Sequence, residues 1–83
     1  MNLVFTDSAS PNTAERVTRE VNLIARNLEC LGATAAALQT AEHIQKFWAP
    51  QLRSTLFEQM RSHPERFQPI ASDAVAMLLE AAA

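Results

Sequence analysis

The chain has 83 residues and a formal net charge of −2, from nine acidic and seven basic residues. Hydrophobic residues make up 48% of it and charged residues 19%, which is typical of a folded globular domain rather than a disordered chain. This length leaves no room for a nucleotide-binding sheet together with a substrate domain, which argues against an enzyme that works alone. The acidic balance argues against nucleic acid and anionic membranes as partners, because both bind mainly basic surfaces.

The chain contains one cysteine, Cys30, and no long apolar segment. A single cysteine cannot form an internal disulfide or a multi-cysteine metal site, so we expect Cys30 to be a small packing residue on a helix. No apolar run reaches the roughly 18–20 residues of a membrane span, and the first residues lack the basic stretch of a secretory signal. We therefore expect a cytoplasmic protein without a membrane partner.

The first predicted helix begins at Pro11 or Thr13, after Ser10 as its N-cap, and ends at Leu31. Gly32, the only glycine, stands where a residue in the left-handed conformation commonly ends a helix. Apolar residues recur along this helix at alternating steps of four and three, which predicts one buried stripe. The stripe consists of Val17, Val21, Ile24, Leu28 and Leu31.

A second predicted helix runs from Thr34, as N-cap, to Trp48. Pro50 then ends or kinks it, because proline disfavours the helical conformation in the residue before it. Pro50 also suits the first position of a third helix that ends near Ser62, although one kinked helix remains open at this stage. The apolar stripes consist of Ala37, Ala41, Ile44 and Trp48 in the second helix and Leu52, Leu56 and Met60 in the third.

A polar connection follows, which the burial of Phe67 would pin, and the last predicted helix begins at Gln68 or Pro69. The apolar stripe of this helix consists of Ile70, Ala74, Met77, Leu78 and Ala81. Four helices without strands or internal repeats predict an all-α fold, a small bundle that forms a single domain over residues 1–83. Residues 1–10 are expected to be either a flexible tail or a segment that docks on another surface.

The residues of greatest chemical interest cluster in residues 42–53, around the predicted break at Pro50. On a helix, His43 borders Phe47 one turn later. A lone histidine beside an apolar face is more often a surface residue with a ring hydrogen bond than a ligand or a catalyst. Phe47 and Trp48 both suit the core, and the pattern leaves open whether Trp48 lies in the core or at an interface.

The run His43–Arg53, HIQKFWAPQLR, resembles the motif H-[IL]-x-K-F-W-x-P-x-[ML]-R of the delta subunit of NAD-dependent formate dehydrogenase. Val21–Ala25 is similar to a segment in the first helix of that family, and Ile70–Leu79 is similar to its closing apolar helix. The resemblance extends over Val17–Leu79. Its H-x-x-K-F-W-x-P core is fairly specific, because these residue types seldom coincide at fixed spacing.

This resemblance implies a noncatalytic small subunit of a cytoplasmic enzyme that oxidises formate to carbon dioxide with NAD. In such enzymes the alpha subunit carries molybdenum or tungsten in bis-molybdopterin guanine dinucleotide (bis-MGD), together with iron–sulfur (Fe-S) clusters. Other subunits carry FMN, NAD and further clusters. The resemblance implies no cofactor in this chain, and a role in the assembly, stability or activity of the metal-containing subunit.

We therefore interpret the chain as an accessory subunit that docks a helical surface onto the alpha subunit. The expected contact residues are His43, Lys46, Trp48 and Arg53, and the residues expected to fix the bend that presents them are Phe47 and Pro50. One alternative is a homodimer that pairs the first helix with its copy, because the same spacing makes a coiled-coil seam. Another is a transient maturation factor for insertion of the molybdenum cofactor, and a stand-alone enzyme ranks last.

Overall fold

The computed structural model describes residues 11–82. Over that range the chain forms four α-helices and no strand, which confirms the predicted all-α fold. The helices are α1 (Pro11–Leu28), α2 (Ala33–Phe47), α3 (Pro50–Ser62) and α4 (Pro69–Ala82). Short 3₁₀ turns at Glu29–Leu31 and Pro64–Arg66 follow α1 and α3. The predicted N-cap Ser10 and the predicted roles of residues 1–10 lie outside the described residues.

The buried face of α1 is rotated from the predicted stripe but shares two residues with it, so the predicted burial of Val17 and Val21 is confirmed. Residues at four-residue spacing form most of this face, namely Thr13, Val17, Val21 and Ala25, with Thr18 buried beside them. Ile24 and Leu28 from the predicted stripe are only half-buried, and Leu31 is 47% exposed. Where two helices cross at an angle, the side of a helix that contacts its neighbours changes along its length. Small residues such as Ala25 can then be part of the buried face.

The end of α1 differs from the prediction, because the chain tightens into a 3₁₀ turn after Leu28. Gly32 follows with φ 96° and ψ 152°. The predicted positive φ is confirmed, but ψ lies outside the left-handed helical region, in a region essentially restricted to glycine. Gly32 is also the N-cap of α2, and its carbonyl accepts the Ala36 N–H at 2.8 Å, so the predicted N-cap Thr34 lies inside the helix. Cys30 is exposed on the turn and is not the packing residue that we predicted.

Helices α2 and α4 make the most extensive helix–helix contact among the described residues. Their buried faces are rich in alanine, and small side chains let two helices approach closely. The buried residues are Ala36, Ala37, Thr40, Ala41 and Ile44 in α2 and Ala71, Ala74, Val75 and Leu78 in α4. The predicted burial of Ala74 and Leu78 is confirmed. Ile70 and Met77 are half-buried and Ala81 is exposed, because α4 directs a neighbouring face to the core.

Helix α3 and the connection after it complete the core. Leu56 is fully buried, and Leu52, Met60 and Phe57 pack against the core while remaining partly exposed. Phe67 is 7% exposed, which confirms that its burial pins the connection between α3 and α4. The core therefore uses all four helices and leaves two features at the surface, the junction of α2 with α3 and the outer face of α1.

Candidate functional site

The α2–α3 junction is a sharp break in the helical path, and it lies where the sequence predicts it. Trp48 adopts φ −94° and ψ 137°, and Ala49 adopts φ −65° and ψ 152°, both extended conformations. Pro50 occupies the first turn of α3, where its missing N–H leaves no helical hydrogen bond unmade. Two separate helices therefore form, rather than the single kinked helix that remained open from the sequence.

Arg53 holds this break closed by capping the end of α2. Its guanidinium Nη1 donates to the Trp48 carbonyl at 2.9 Å and to the Gln45 carbonyl at 3.3 Å. The last carbonyls of a helix have no partner within the helix, and their partial negative charge favours a cation nearby. Arg53 therefore ties the start of α3 to the end of α2 and helps to fix the angle between the two helices.

Phe47 is the most exposed large hydrophobic residue that the structure describes, at 71%. Its ring lies against His43, with ring centroids 5.0 Å apart and ring planes inclined at 49°. The interpretation that Phe47 fills the core is therefore wrong. Trp48 is half-buried and packs against the core cluster, so of the two adjacent aromatic residues only Trp48 reaches the interior.

The exposure of Phe47 comes from missing cover and not from its direction on the helix. At 100° per residue, Phe47 lies within about 20° of Ala36 and Thr40 around the axis of α2. Both of those residues are 0% exposed. The core-facing side of α2 therefore continues into Phe47, and in the last turn no described element covers it.

A groove of about 330 Å³ lies between α1 and the junction. Its walls are mainly apolar and aromatic, with one acidic side chain from α1. It is lined by Val17, Glu20, Ile24, His43, Phe47, Trp48 and Leu52. Pockets of this type suit an apolar side chain from a binding partner, with polar groups at the edge that set orientation.

Not all of the predicted site residues meet at this groove. It brings together His43, Phe47 and Trp48. Lys46 is exposed in the last turn of α2 without lining the groove, and Arg53 lies at the junction with its Nη1 bound to the carbonyls. The groove is therefore mainly apolar, with aromatic side chains among its lining residues and the basic residues Lys46 and Arg53 nearby.

A second surface lies on the other flank of α1, around Asn22, which belongs to the segment Val21–Ala25 that carries part of the family resemblance. The Asn22 amide donates from Nδ2 to the Arg66 carbonyl at 2.9 Å, and its Oδ1 accepts the Gln68 N–H at 3.0 Å. Gln68 Nε2 also donates to the Asn22 carbonyl. These bonds hold the α3–α4 connection against α1, beside an open depression of about 570 Å³. A lone asparagine beside an apolar stripe gives no signal of a partner 44 residues away.

Two ion pairs of the described residues join groups that are two or three residues apart in the chain. Glu58 pairs with Arg61 on α3, and His63 Nδ1 lies 3.6 Å from Glu65 Oε2. Over residues 11–82, no group of three or more His, Cys, Asp or Glu residues could hold a metal ion. None of the helices in that range combines the length and the apolar character needed to cross a membrane.

The comparison with known families gives one match. A family model described as "NADH-dependant formate dehydrogenase delta subunit FdsD" matches residues 16–75. This match spans more than half of the 83-residue chain and includes the junction, the groove and Asn22. No significant match was found among curated proteins or among solved structures.

Proposed function

Because the chain belongs to the delta-subunit family of NADH-dependent formate dehydrogenases, we propose that it is a noncatalytic accessory subunit of a cytoplasmic formate dehydrogenase complex. In this proposal it docks onto the metal-containing alpha subunit and supports the assembly, stability or activity of that subunit. The bis-MGD metal centre, the Fe-S clusters, FMN and NAD belong to the partner subunits.

The observation that carries the docking proposal is the uncovered end of the core-facing side of α2. Burial of an aromatic side chain contributes on the order of 2–3 kcal/mol, so a side chain left 71% exposed leaves most of that stabilisation unused. A partner that covers Phe47 gains this unused free energy of burial without any rearrangement of the chain. Exposed apolar surface beside a groove is a common mark of a protein interface.

The residues around Phe47 suit the same role. The groove accepts an apolar side chain of the partner between Trp48 and α1, while His43 supports one face of the Phe47 ring. Lys46 adds a positive charge in the last turn of α2, where it meets a carboxylate of the partner. Arg53 acts first by holding the junction, and in this proposal the guanidinium N–H groups that these bonds leave unused pair with the partner.

Two alanine substitutions on α2 test this proposal. Phe47→Ala removes the exposed ring, and Leu38→Ala removes another exposed apolar side chain (49%) about 180° away around the same helix. Both are made in the full chain, co-produced with a formate dehydrogenase whose alpha subunit is tagged. We expect Phe47→Ala to weaken binding by about tenfold, the size of a modest interface hot spot, and Leu38→Ala to leave it unchanged.

The amount of this chain per alpha subunit after purification, followed over a dilution series, measures the effect. Equal retention of the two variants at wild-type level would place the contact elsewhere. Recovery of the wild-type chain only with cofactor-free alpha subunit would instead identify a transient maturation factor.

Two residues of the coiled-coil seam that motivated the homodimer alternative are buried within the bundle. Val17 and Val21, which belong to the proposed coiled-coil seam, are 1% and 0% exposed inside the chain's own core. They cannot pair with a second copy unless the bundle opens. Sedimentation equilibrium of the isolated chain distinguishes the cases, because a tight dimer that Phe47→Ala dissociates would mean that a second copy covers the groove.

A further inference from the structure

The outer face of α1 carries a group of basic residues that the junction does not involve. Arg19, Asn22, Leu23 and Arg26 follow the spacing i, i+3, i+4, i+7, which places them on one face of the helix. Arg66 joins them from the α3–α4 connection, because the Asn22 amide binds its carbonyl at 2.9 Å. We call Arg19, Leu23, Arg26 and Arg66 the arginine face.

The three guanidinium groups of the arginine face have no acidic partner among the described residues. The two described ion pairs, Glu58–Arg61 and His63–Glu65, include none of these arginines. Three of the seven basic residues of a chain with net charge −2 therefore line one depression without an ion-pair partner in the described part of the chain. Glu15 lines one end of this depression, which leaves a surplus of two positive charges there, from three arginines and one glutamate.

The neighbouring acidic residues do not pair directly with these arginines. Glu29 and Glu65 line an adjoining depression together with Arg26 and Arg66. Neither carboxylate forms an ion pair with those arginines, and Glu65 lies nearer to His63. Among the described residues, no carboxylate therefore occupies the hydrogen-bond donors of these guanidinium groups.

We propose that the arginine face binds an acidic, leucine-containing segment of a protein partner, at a site separate from the groove at the junction. Guanidinium groups pair with carboxylates through two parallel hydrogen bonds, which favours Asp and Glu side chains as ligands. Leu23, 48% exposed between Arg19 and Arg26, supplies an apolar contact that a free anion would not use. Nucleic acid is the weaker candidate, because its affinity requires many phosphate contacts and the chain as a whole is acidic.

The inference is tested with the ¹⁵N-labelled full chain and a short synthetic peptide composed only of Asp, Glu and Leu. A matched peptide with Asn and Gln in place of the acids is the control. We expect amide shifts confined to residues 19–26 and 66–68, weaker binding as NaCl is raised, and no response to the neutral peptide. This experiment needs no formate dehydrogenase subunit, so its result is independent of the proposed function.

Variants then test which arginines bind the acidic peptide. Arg19→Gln with Arg26→Gln removes two exposed arginines and weakens peptide binding by about tenfold, because two solvent-exposed ion pairs with the peptide are lost. Arg61→Gln is the control, because Arg61 is an exposed arginine of α3 that already pairs with Glu58. Absence of localised shifts, an equal loss in Arg61→Gln, or an equally strong response to sodium pyrophosphate would each overturn the inference.

Discussion

Asn22 ties α1 to the connection between α3 and α4, although it belongs to neither the core nor the junction. Its side chain binds the Arg66 carbonyl at 2.9 Å and the Gln68 N–H at 3.0 Å, and it thereby satisfies two backbone groups outside the α-helices. Backbone groups left without a hydrogen-bond partner in a packed region cost free energy. The Asn22 side chain supplies the partners that regular secondary structure would otherwise provide. It also places Arg66 beside α1, which the arginine face requires.

Asn22→Ala is expected to lower the free energy of unfolding by about 1–2 kcal/mol, because two hydrogen bonds to the backbone are lost. Asn27→Ala is the control, since Asn27 is exposed on the same helix. Urea denaturation followed by circular dichroism gives the stability, and hydrogen exchange gives the protection of the Gln68 N–H. Unchanged protection of that N–H in Asn22→Ala would contradict the assigned contact.

A substitution at Thr40 is expected to stabilise the fold, in contrast to Asn22→Ala. Its side chain is 0% exposed, and its hydroxyl makes no hydrogen bond with any part of the described chain. Valine has nearly the same shape without the buried polar group, so Thr40→Val is expected to raise the free energy of unfolding by about 1 kcal/mol. Thr55→Val is the matched control and should not stabilise, because the Thr55 hydroxyl donates to the Gln51 carbonyl at 3.0 Å.

A substitution at Gly32 tests the backbone conformation of the turn between α1 and α2. Apart from its two chain neighbours, no described residue has an atom within 4 Å of the position that a Cβ would take, so the backbone conformation is what opposes a side chain there. Gly32→Ala is therefore expected to cost about 1–3 kcal/mol of folding free energy in urea denaturation. Thr34→Ala should be neutral or slightly stabilising, because Thr34 lies inside α2, whereas a loss of about 1 kcal/mol would restore it as the N-cap.

At the scale of the helices, α2 divides into a part that the bundle covers and an end that it leaves open. Ile44→Ala is expected to cost about 2–5 kcal/mol, since Ile44 is 0% exposed and its removal leaves a cavity. Phe47→Ala, three residues later, should change the free energy of unfolding by less than about 0.5 kcal/mol, as is usual for an exposed site. Thermal and urea denaturation of both variants check this contrast, and a large loss in Phe47→Ala would mean that the ring is part of the core.

The helix boundaries set by one residue's backbone chemistry could be predicted from the sequence. Pro50 disfavours a helical residue before it, and Gly32 tolerates a positive φ, so both breaks follow from local rules. The register of the buried faces could not be predicted as well, because Ala25, Ala71 and Thr13 carry little hydrophobic signal and are buried only where a neighbouring helix crosses them.

The candidate site was predictable as a segment but not in its geometry. The clustering of aromatic and basic residues marks residues 43–53, yet two features there depend on tertiary structure. Phe47 points to the same side as buried residues and is exposed only because nothing described covers it. Arg53 turns back to the carbonyls of Trp48 and Gln45, a contact that exists only once the chain has bent.

At the scale of the whole molecule, the chain presents two surfaces of different chemistry. The apolar groove and the arginine face lie roughly 140–160° apart around α1, judged from the positions of Ile24 and the two arginines Arg19 and Arg26. A partner that uses both must contact the bundle from two sides. Such an arrangement suits a small subunit that joins two segments of a larger protein.

The two surfaces are expected to act independently. Sites that share no contacts usually have additive effects, so combining Phe47→Ala with Arg19→Gln and Arg26→Gln should multiply the separate losses of affinity for the formate dehydrogenase complex. Measuring the affinity for the complex at increasing salt concentration separates the two contributions. Salt screens the contribution of the arginines and does not screen the apolar contribution of Phe47. A combined loss no larger than that of Phe47→Ala alone would mean that the arginine face is not used in the complex.

The most direct measurement is a pull-down of the tagged full chain from its native host under gentle lysis. Mass spectrometry, metal analysis and a formate–NAD assay are then applied to the eluate. An accessory subunit predicts large Fe-S and molybdenum or tungsten subunits in the eluate, together with formate-dependent NADH formation. Elution of the chain alone or as its own dimer, from cells with active formate dehydrogenase, would contradict the proposed function.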